Sequence, residues 1–207
     1  THPWAPKHIF QAYYAPFVYM LTLLHSVFVS DWIYLFSNDY DWMKKGISTL
    51  ELYFRFFLYK IMYFTLVLLL PILFTTFSWK IILIAFLLSS AFTSLIFIVM
   101  LVGTHFFEEA YYPVSNDENL EHSWAVHQLY TSCDWNADKS WARFISGGSN
   151  CHAAHHLFPN ICHVNYKEIN TIIKETTQKY QLPYHHKTLL EMVTSHFKHL
   201  HKMGKLK

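Results

Sequence analysis

The chain has 207 residues, a formal net charge of +2, 53% hydrophobic residues, 19% aromatic residues and 14% charged residues. So small a charge, with lysines scattered towards the flanks and the C-terminus, excludes a nucleic-acid surface, and the apolar content exceeds that of an ordinary soluble domain. A membrane protein is the expected class. Cys133, Cys151 and Cys162 are an odd number with no C-x-x-C pair, which argues against a disulfide framework and for a reducing compartment. No cleavable signal peptide, internal repeat or low-complexity tract is visible.

Residues 9–30 form an aromatic-rich apolar stretch carrying Pro16, Thr22, His25 and Ser26, long enough to span but polar for a lipid-facing helix. Residues 31–60 are mixed, with Asp31, Asp39, Asp41, Lys44, Lys45, Glu51, Arg55 and Lys60, and read as interfacial or water-exposed. Two stronger apolar runs follow, Ile61 to Phe77 (interrupted by Pro71) and Ile81 to Val102, separated by Ser78-Trp79-Lys80. They predict a transmembrane hairpin with a short external turn. Lys44, Lys45, Arg55 and Lys60 flank its base and only Lys80 sits at its tip, so the positive-inside rule puts both ends in the cytoplasm.

Residues 103–207 are too polar to cross again. Ile169, Ile172 and Ile173, and then Leu189, Leu190, Val193, Phe197 and Leu200, recur at helical spacing among lysines, which predicts two amphipathic cytoplasmic helices; the basic tail would rest on anionic headgroups. The expected fold is therefore an all-α membrane protein in three segments. These are an interfacial segment (1–60), a transmembrane helical hairpin (61–102) and a cytoplasmic helical cap (103–207).

The cap carries Gly147-Gly148-Ser149-Asn150-Cys151-His152-Ala153-Ala154-His155-His156-Leu157-Phe158-Pro159. On a helix, imidazoles at i, i+3 and i+4 share one face and form a metal half-site. Ser149 and Asn150 are good N-cap types and Pro159 stops the helix, so a short, capped helix is expected. The alternative is accident, since the chain has 15 histidines and clusters others near its end. His105, just past the second span, is a further candidate ligand on the same side of the membrane. Asn150, His127 and Glu108 are candidates to hydrogen-bond and orient the ligating rings. Asn150 also has a plain reading as N-cap, and Glu108-Glu109 as a helix end. His185, His186, His196, His199 and His201 interleave with lysines and are expected to be solvated.

The run 147–159, continued by Ile161-Cys162-His163-Val164-Asn165-Tyr166, resembles the third histidine box of membrane fatty acid desaturases, nearest to bacterial acyl-CoA and acyl-lipid desaturases, including the linoleoyl-CoA type and its front-end relatives. His105-Phe106-Phe107-Glu108-Glu109-Ala110 before Pro113 looks like the family segment after the last span. Trp124 with His127-Gln128-Leu129 and Thr131 looks like the lead-in to that box, and Pro183-Tyr184 like its C-terminal end. The resemblance implies two irons per intact enzyme, with His105, His152, His155 and His156 among the ligands. It implies an acyl-CoA or acyl-lipid substrate, a ferredoxin or cytochrome b5-like electron donor, and oxygen-dependent insertion of a double bond.

The family also carries H-x-x-x-H and H-x-x-H-H boxes upstream, and residues 1–104 hold neither: His2, His8 and His25 are isolated. The chain therefore looks like the C-terminal part of such an enzyme, expected to be inactive alone. Its site would lie on the cytoplasmic face, in a bacterial inner membrane in preference to the endoplasmic reticulum. The rival readings are a di-iron fatty acyl hydroxylase and a non-catalytic metal-binding membrane protein, which would bury its histidines inside spans.

Overall fold

The computed structural model describes residues 4–37, 46–111 and 122–206. Lys44, Lys45, Pro113 and Glu121 lie outside those residues. The described chain is mainly helical and falls into two compact units, Thr1–Pro16 with Phe97–Lys207, and Phe17–Ile96.

The Phe17–Ile96 unit is built from membrane helices. The first apolar stretch is two helices, α1 (Pro6–Met20) and α2 (Thr22–Phe36), bent by 56° at a break. The break leaves the Leu23 N–H free of the helix ladder, and it donates to Ser94 Oγ (2.8 Å). Helix α3 runs from Thr49 to Phe74 and α4 from Trp79 to Val102, and each is long and apolar enough to cross a membrane. Helix α3 thus begins well before the apolar run at Ile61. Ser48 accepts the Glu51 N–H as N-cap, and no glycine or proline interrupts Thr49–Phe64. Before Pro71, whose ring cannot donate, the backbone relaxes through a π-helical turn at Thr65–Leu69. A second π-helical turn, Ser26–Ser30, is braced by Lys60, whose ammonium donates to Val27 O (2.5 Å) and pairs with Asp31 (2.6 Å).

In the other unit, short elements surround one strand. Helices α5 (Trp124–Tyr130), α6 (Ser140–Ser146), α7 (His152–Leu157), α8 (Tyr166–Lys179) and α9 (Leu189–Lys205) pack around β1 (Cys133–Trp135), which pairs in parallel with β2 (His185–Lys187) in the register Cys133↔His185. This two-stranded ladder is an addition to the expected helical cap. Side chains alternate across a strand, so β1 supplies both sides. One small core holds Cys151, Ala153, Ala154, Leu129, Tyr166 and Ile173, and another holds Trp135, Ala142 and Met192.

Helix α9 starts at a capping box in which Thr188 and Glu191 satisfy each other's backbone N–H groups. Its buried face is Met192, Ser195, His196 and His199, with Lys198 and Lys202 exposed. The expectation that His196 and His199 are solvated is therefore wrong. The interleaved lysines mark the opposite face, and His196 Nδ1 instead meets Phe106 O at 2.8 Å. Near its end, α9 receives the N-terminal turn: Trp4 Nε1 donates to Gly204 O (3.0 Å) and Gln11 Nε2 to Leu200 O (2.6 Å). Gly204 lies so close to His8 that a methyl group there would overlap the His8 carbonyl.

Candidate metal centre

Helix α4 ends at Val102, and the turn that follows puts His105 at the edge of the α4 terminus, with its N–H bonded to Val102 O (3.1 Å). The histidine helix α7 spans six residues, as expected from Pro159, but its start is built differently from the local pattern. Gly147, in the left-handed conformation, terminates α6, and the Gly148 N–H closes that end on Arg143 O (3.0 Å). The N-cap position of α7 is Cys151, which makes no side-chain cap bond. Asn150 is not the cap. Fully buried, it bonds Ser146 Oγ through Oδ1 (3.0 Å) and donates through Nδ2 to Trp135 O (3.1 Å) and Asn136 O (3.4 Å).

The cap comes from Asp134, on β1. Its Oδ1 accepts the Ala153 N–H (2.8 Å), and its Oδ2 accepts the Tyr184 hydroxyl proton (2.8 Å). Burial pushes its carboxyl above the usual range, opposed by those donors and by Asn170.

His105, His152 and His156 converge. His152 Nε2 lies 2.8 Å from His105 Nε2 and 3.1 Å from His156 Nε2, and one ligand nitrogen from each falls within 4.8 Å of the others. The other ring nitrogens fix the tautomers. His105 Nδ1 faces Thr131 O (3.4 Å) and His152 Nδ1 faces Ser149 O (3.3 Å). A carbonyl can only accept, so with Nδ1 protonated towards it each ring would present its Nε2 lone pair to the cluster. Lone pairs this close repel unless a cation lies among them, and the separations match neighbouring ligands at ~2.1 Å from one ion.

The surroundings keep these rings uncharged. Burial, then the neighbouring imidazoles His105 and His156, push His152 down to about 2; burial, then His105 and His155, push His156 down to about 4. Burial also lowers His105. All three are neutral ligands at neutral pH.

Other expected site residues are placed elsewhere. His155 is exposed, and its Nδ1 approaches the Tyr166 hydroxyl (3.4 Å) instead of the three-nitrogen cluster. His127 lies on α5, where its carbonyl accepts the Thr131 hydroxyl (3.0 Å), so it reaches the cluster through the backbone of Thr131. Glu108 points to α9: its N–H donates to Ser195 Oγ (2.9 Å) and its carboxylate sits 3.9 Å from Lys198. Glu109 pairs with Lys187 (2.8 Å) and accepts from Ser195. Sequence reasoning missed Asp134, Tyr184 and Tyr166 as site supports. Cys-Asp-Trp has no metal-ligand spacing, and its role depends on a contact across 19 positions.

The sequence signature described as Fatty acid desaturase matches residues 2–188. Among curated proteins, the chain is similar to an acyl-lipid (8-3)-desaturase of Physcomitrium patens, at 27% identity over 99% of this chain and 43% of the moss protein. It is similar to an acyl-lipid (8-3)-desaturase B of Dictyostelium discoideum, at 37% identity over 47% of this chain and 21% of that protein. It is also similar to an sn-1 linoleoyl-lipid 6-desaturase of Synechocystis sp., at 32% identity over 42% of this chain and 24% of that protein. No solved structure matches, and the chain spans less than half the length of these relatives. With a family signature covering nearly all its residues, the chain belongs to the fatty acid desaturase family.

Proposed function

We propose that this chain carries one part of the iron site of an acyl-lipid desaturase, an enzyme that removes two hydrogens from an unactivated acyl chain. The observation that carries this reading is the convergence of three imidazole Nε2 atoms just past the end of a helix long and apolar enough to cross a membrane. His105, His152 and His156 would hold a metal, and His155 would face a second one from the same helix. Bound iron supplies the oxygen chemistry that abstracts hydrogen from a C–H bond, which no side-chain acid or base can deprotonate.

The protein's own contribution is positional. Thr131 and Ser149 carbonyls face the Nδ1 atoms and would hold the Nε2 atoms towards a metal, Ala153 and Ala154 let α7 pack closely, and α4 would bring His105 to the membrane boundary, where an acyl chain would lie. The relatives' names support an acyl-lipid substrate over acyl-CoA. A ferredoxin or cytochrome b5-like protein would deliver electrons, and the spans would place the cluster at the cytoplasmic face. The relatives' greater length supports further ligands from outside these 207 residues, so this chain alone would hold less than a full iron pair and would not turn over.

The test is iron stoichiometry and oxygen consumption of the purified chain in detergent micelles, together with fatty acid analysis of cells expressing the protein at its natural length. Fewer than two tightly bound irons, and unsaturated products lost on His152→Ala, fit the proposal. Two tightly bound irons with turnover by the 207-residue chain, or hydroxylated products, would refute it.

A further inference from the structure

The strand Cys133–Trp135 touches both segments that carry imidazoles. On one side, the Cys133 N–H donates to Thr104 O (2.8 Å), the residue before His105. On the other, the Trp135 N–H donates to Asn150 O (3.0 Å), two residues before His152. Between them the fully buried Asp134 side chain reaches the first turn of α7 at Ala153 N–H. Its second oxygen is held by Tyr184, whose hydroxyl also accepts from Asn170 Nδ2 (3.2 Å). The carboxylate therefore cannot swing away from α7 without leaving the Tyr184 hydroxyl proton without its acceptor. A six-residue helix with no side-chain cap of its own has little intrinsic stability, so its orientation depends on this outside partner.

We propose that Asp134 is the positioning residue of the imidazole cluster: by accepting the Ala153 N–H it locks the first turn of the histidine helix to the strand that also fixes the backbone before His105. This rests on the reading of His105, His152 and His156 as a metal half-site. It assigns the ring-to-ring distances, and so the metal affinity, to a residue that touches no metal. Asp134 gives two contacts the site needs: rigid placement of His152 against His105, and satisfaction of the N–H groups at the start of α7.

The experiment compares the 207-residue chain with Asp134→Ala and Asp134→Asn in detergent micelles. Two readouts are used: amide hydrogen exchange of the segment 150–158 without metal, and Co2+ titration followed by its visible absorption band. In Asp134→Ala, the segment should exchange at least tenfold faster, and Co2+ should bind at least tenfold more weakly with an altered band. Asp134→Asn, whose amide oxygen can accept the same N–H, should stay within about threefold of the parent in both. Should Asp134→Ala fail to fold, Asp134→Leu combined with Tyr184→Phe keeps the forked shape, removes the acceptor and takes away the hydroxyl that would lose it; the same losses are expected.

A merely structural role would lower the melting temperature while leaving the exchange of 150–158 and the Co2+ band as in the parent, and that result overturns the proposal. So does a tenfold loss in Asp134→Asn. If the parent chain binds no Co2+, the half-site reading fails on its own, while the exchange data still decide whether Asp134 holds the helix.

Discussion

Replacing Gly204 by alanine sets two effects of opposite sign against each other. Helix propensity alone favours alanine by about 1 kcal/mol inside a helix, so a free α9 would gain stability. The structure predicts a loss. The new methyl would overlap the His8 carbonyl, a backbone atom that cannot rotate aside as a side-chain tip can. Relief requires the N-terminal turn to lift from α9, which gives up the bonds from Trp4 to Gly204 O and from Gln11 to Leu200 O, each worth about 1 kcal/mol, or to remain docked with overpacking strain of about 1–3 kcal/mol. Less the propensity gain, lifting leaves a net loss of about 1 kcal/mol and strained docking one of about 0–2 kcal/mol, which lowers the melting temperature by up to roughly 8 °C for a chain of this size. Thermal unfolding in detergent micelles measures it, and cleavage by trypsin at Lys7 reports lifting of the turn. A melting temperature that rises, with Lys7 as protected as before, would refute the reasoning.

Acid should destabilise the metal-free chain. The folded state holds His152 near 2 and His156 near 4, while the unfolded chain takes up these protons near 6.5, so stability is complete above about pH 6.5 and falls as pH drops towards the folded values. His152, nearly fully buried, contributes about 1.4 kcal/mol per pH unit below that point, and His152→Gln should remove that share of the slope in melting curves between pH 6.5 and 5; an identical slope in the variant would count against the burial argument. Lys60→Met should cost about 1–3 kcal/mol in chemical unfolding, because it strands Asp31 and leaves Val27 O without its donor, and Lys60→Met with Asp31→Leu should recover part of the loss. Recovery by the double variant is the decisive measurement: none would mean that the pair is not what braces the π-helical turn.

The features written locally in the sequence were legible there. The two apolar runs became α3 and α4, Pro159 bounded the histidine helix, and His105 stood at the end of the second span as its position required. The failures came where a residue's partner lies far along the chain. Ser149-Asn150 before a helix looks like a cap in any window of ten residues, yet Asn150 is turned back to Trp135 and Asn136, and the capping oxygen belongs to Asp134. His196 and His199 looked solvated because lysines surround them in sequence, while a period of 3.6 sorts lysine and histidine to opposite faces. His155, which shares α7 with His152 and His156, turns outward to Tyr166, an orientation that spacing alone does not carry and that leaves its proposed role towards a second metal open to test.

The pairing of Cys133–Trp135 with His185–Lys187 joins segments roughly fifty positions apart, and His196 reaches back about ninety to hold Phe106. A ribosome that has just released the histidine helix has therefore not yet finished the proposed half-site, because Tyr184, which holds Asp134, and α9, which holds Phe106, are still to be translated. On the proposed half-site, metal capture would have to wait for those residues. A nascent chain arrested before Tyr184 should retain no Co2+, whereas the same chain carried on to Lys207 should.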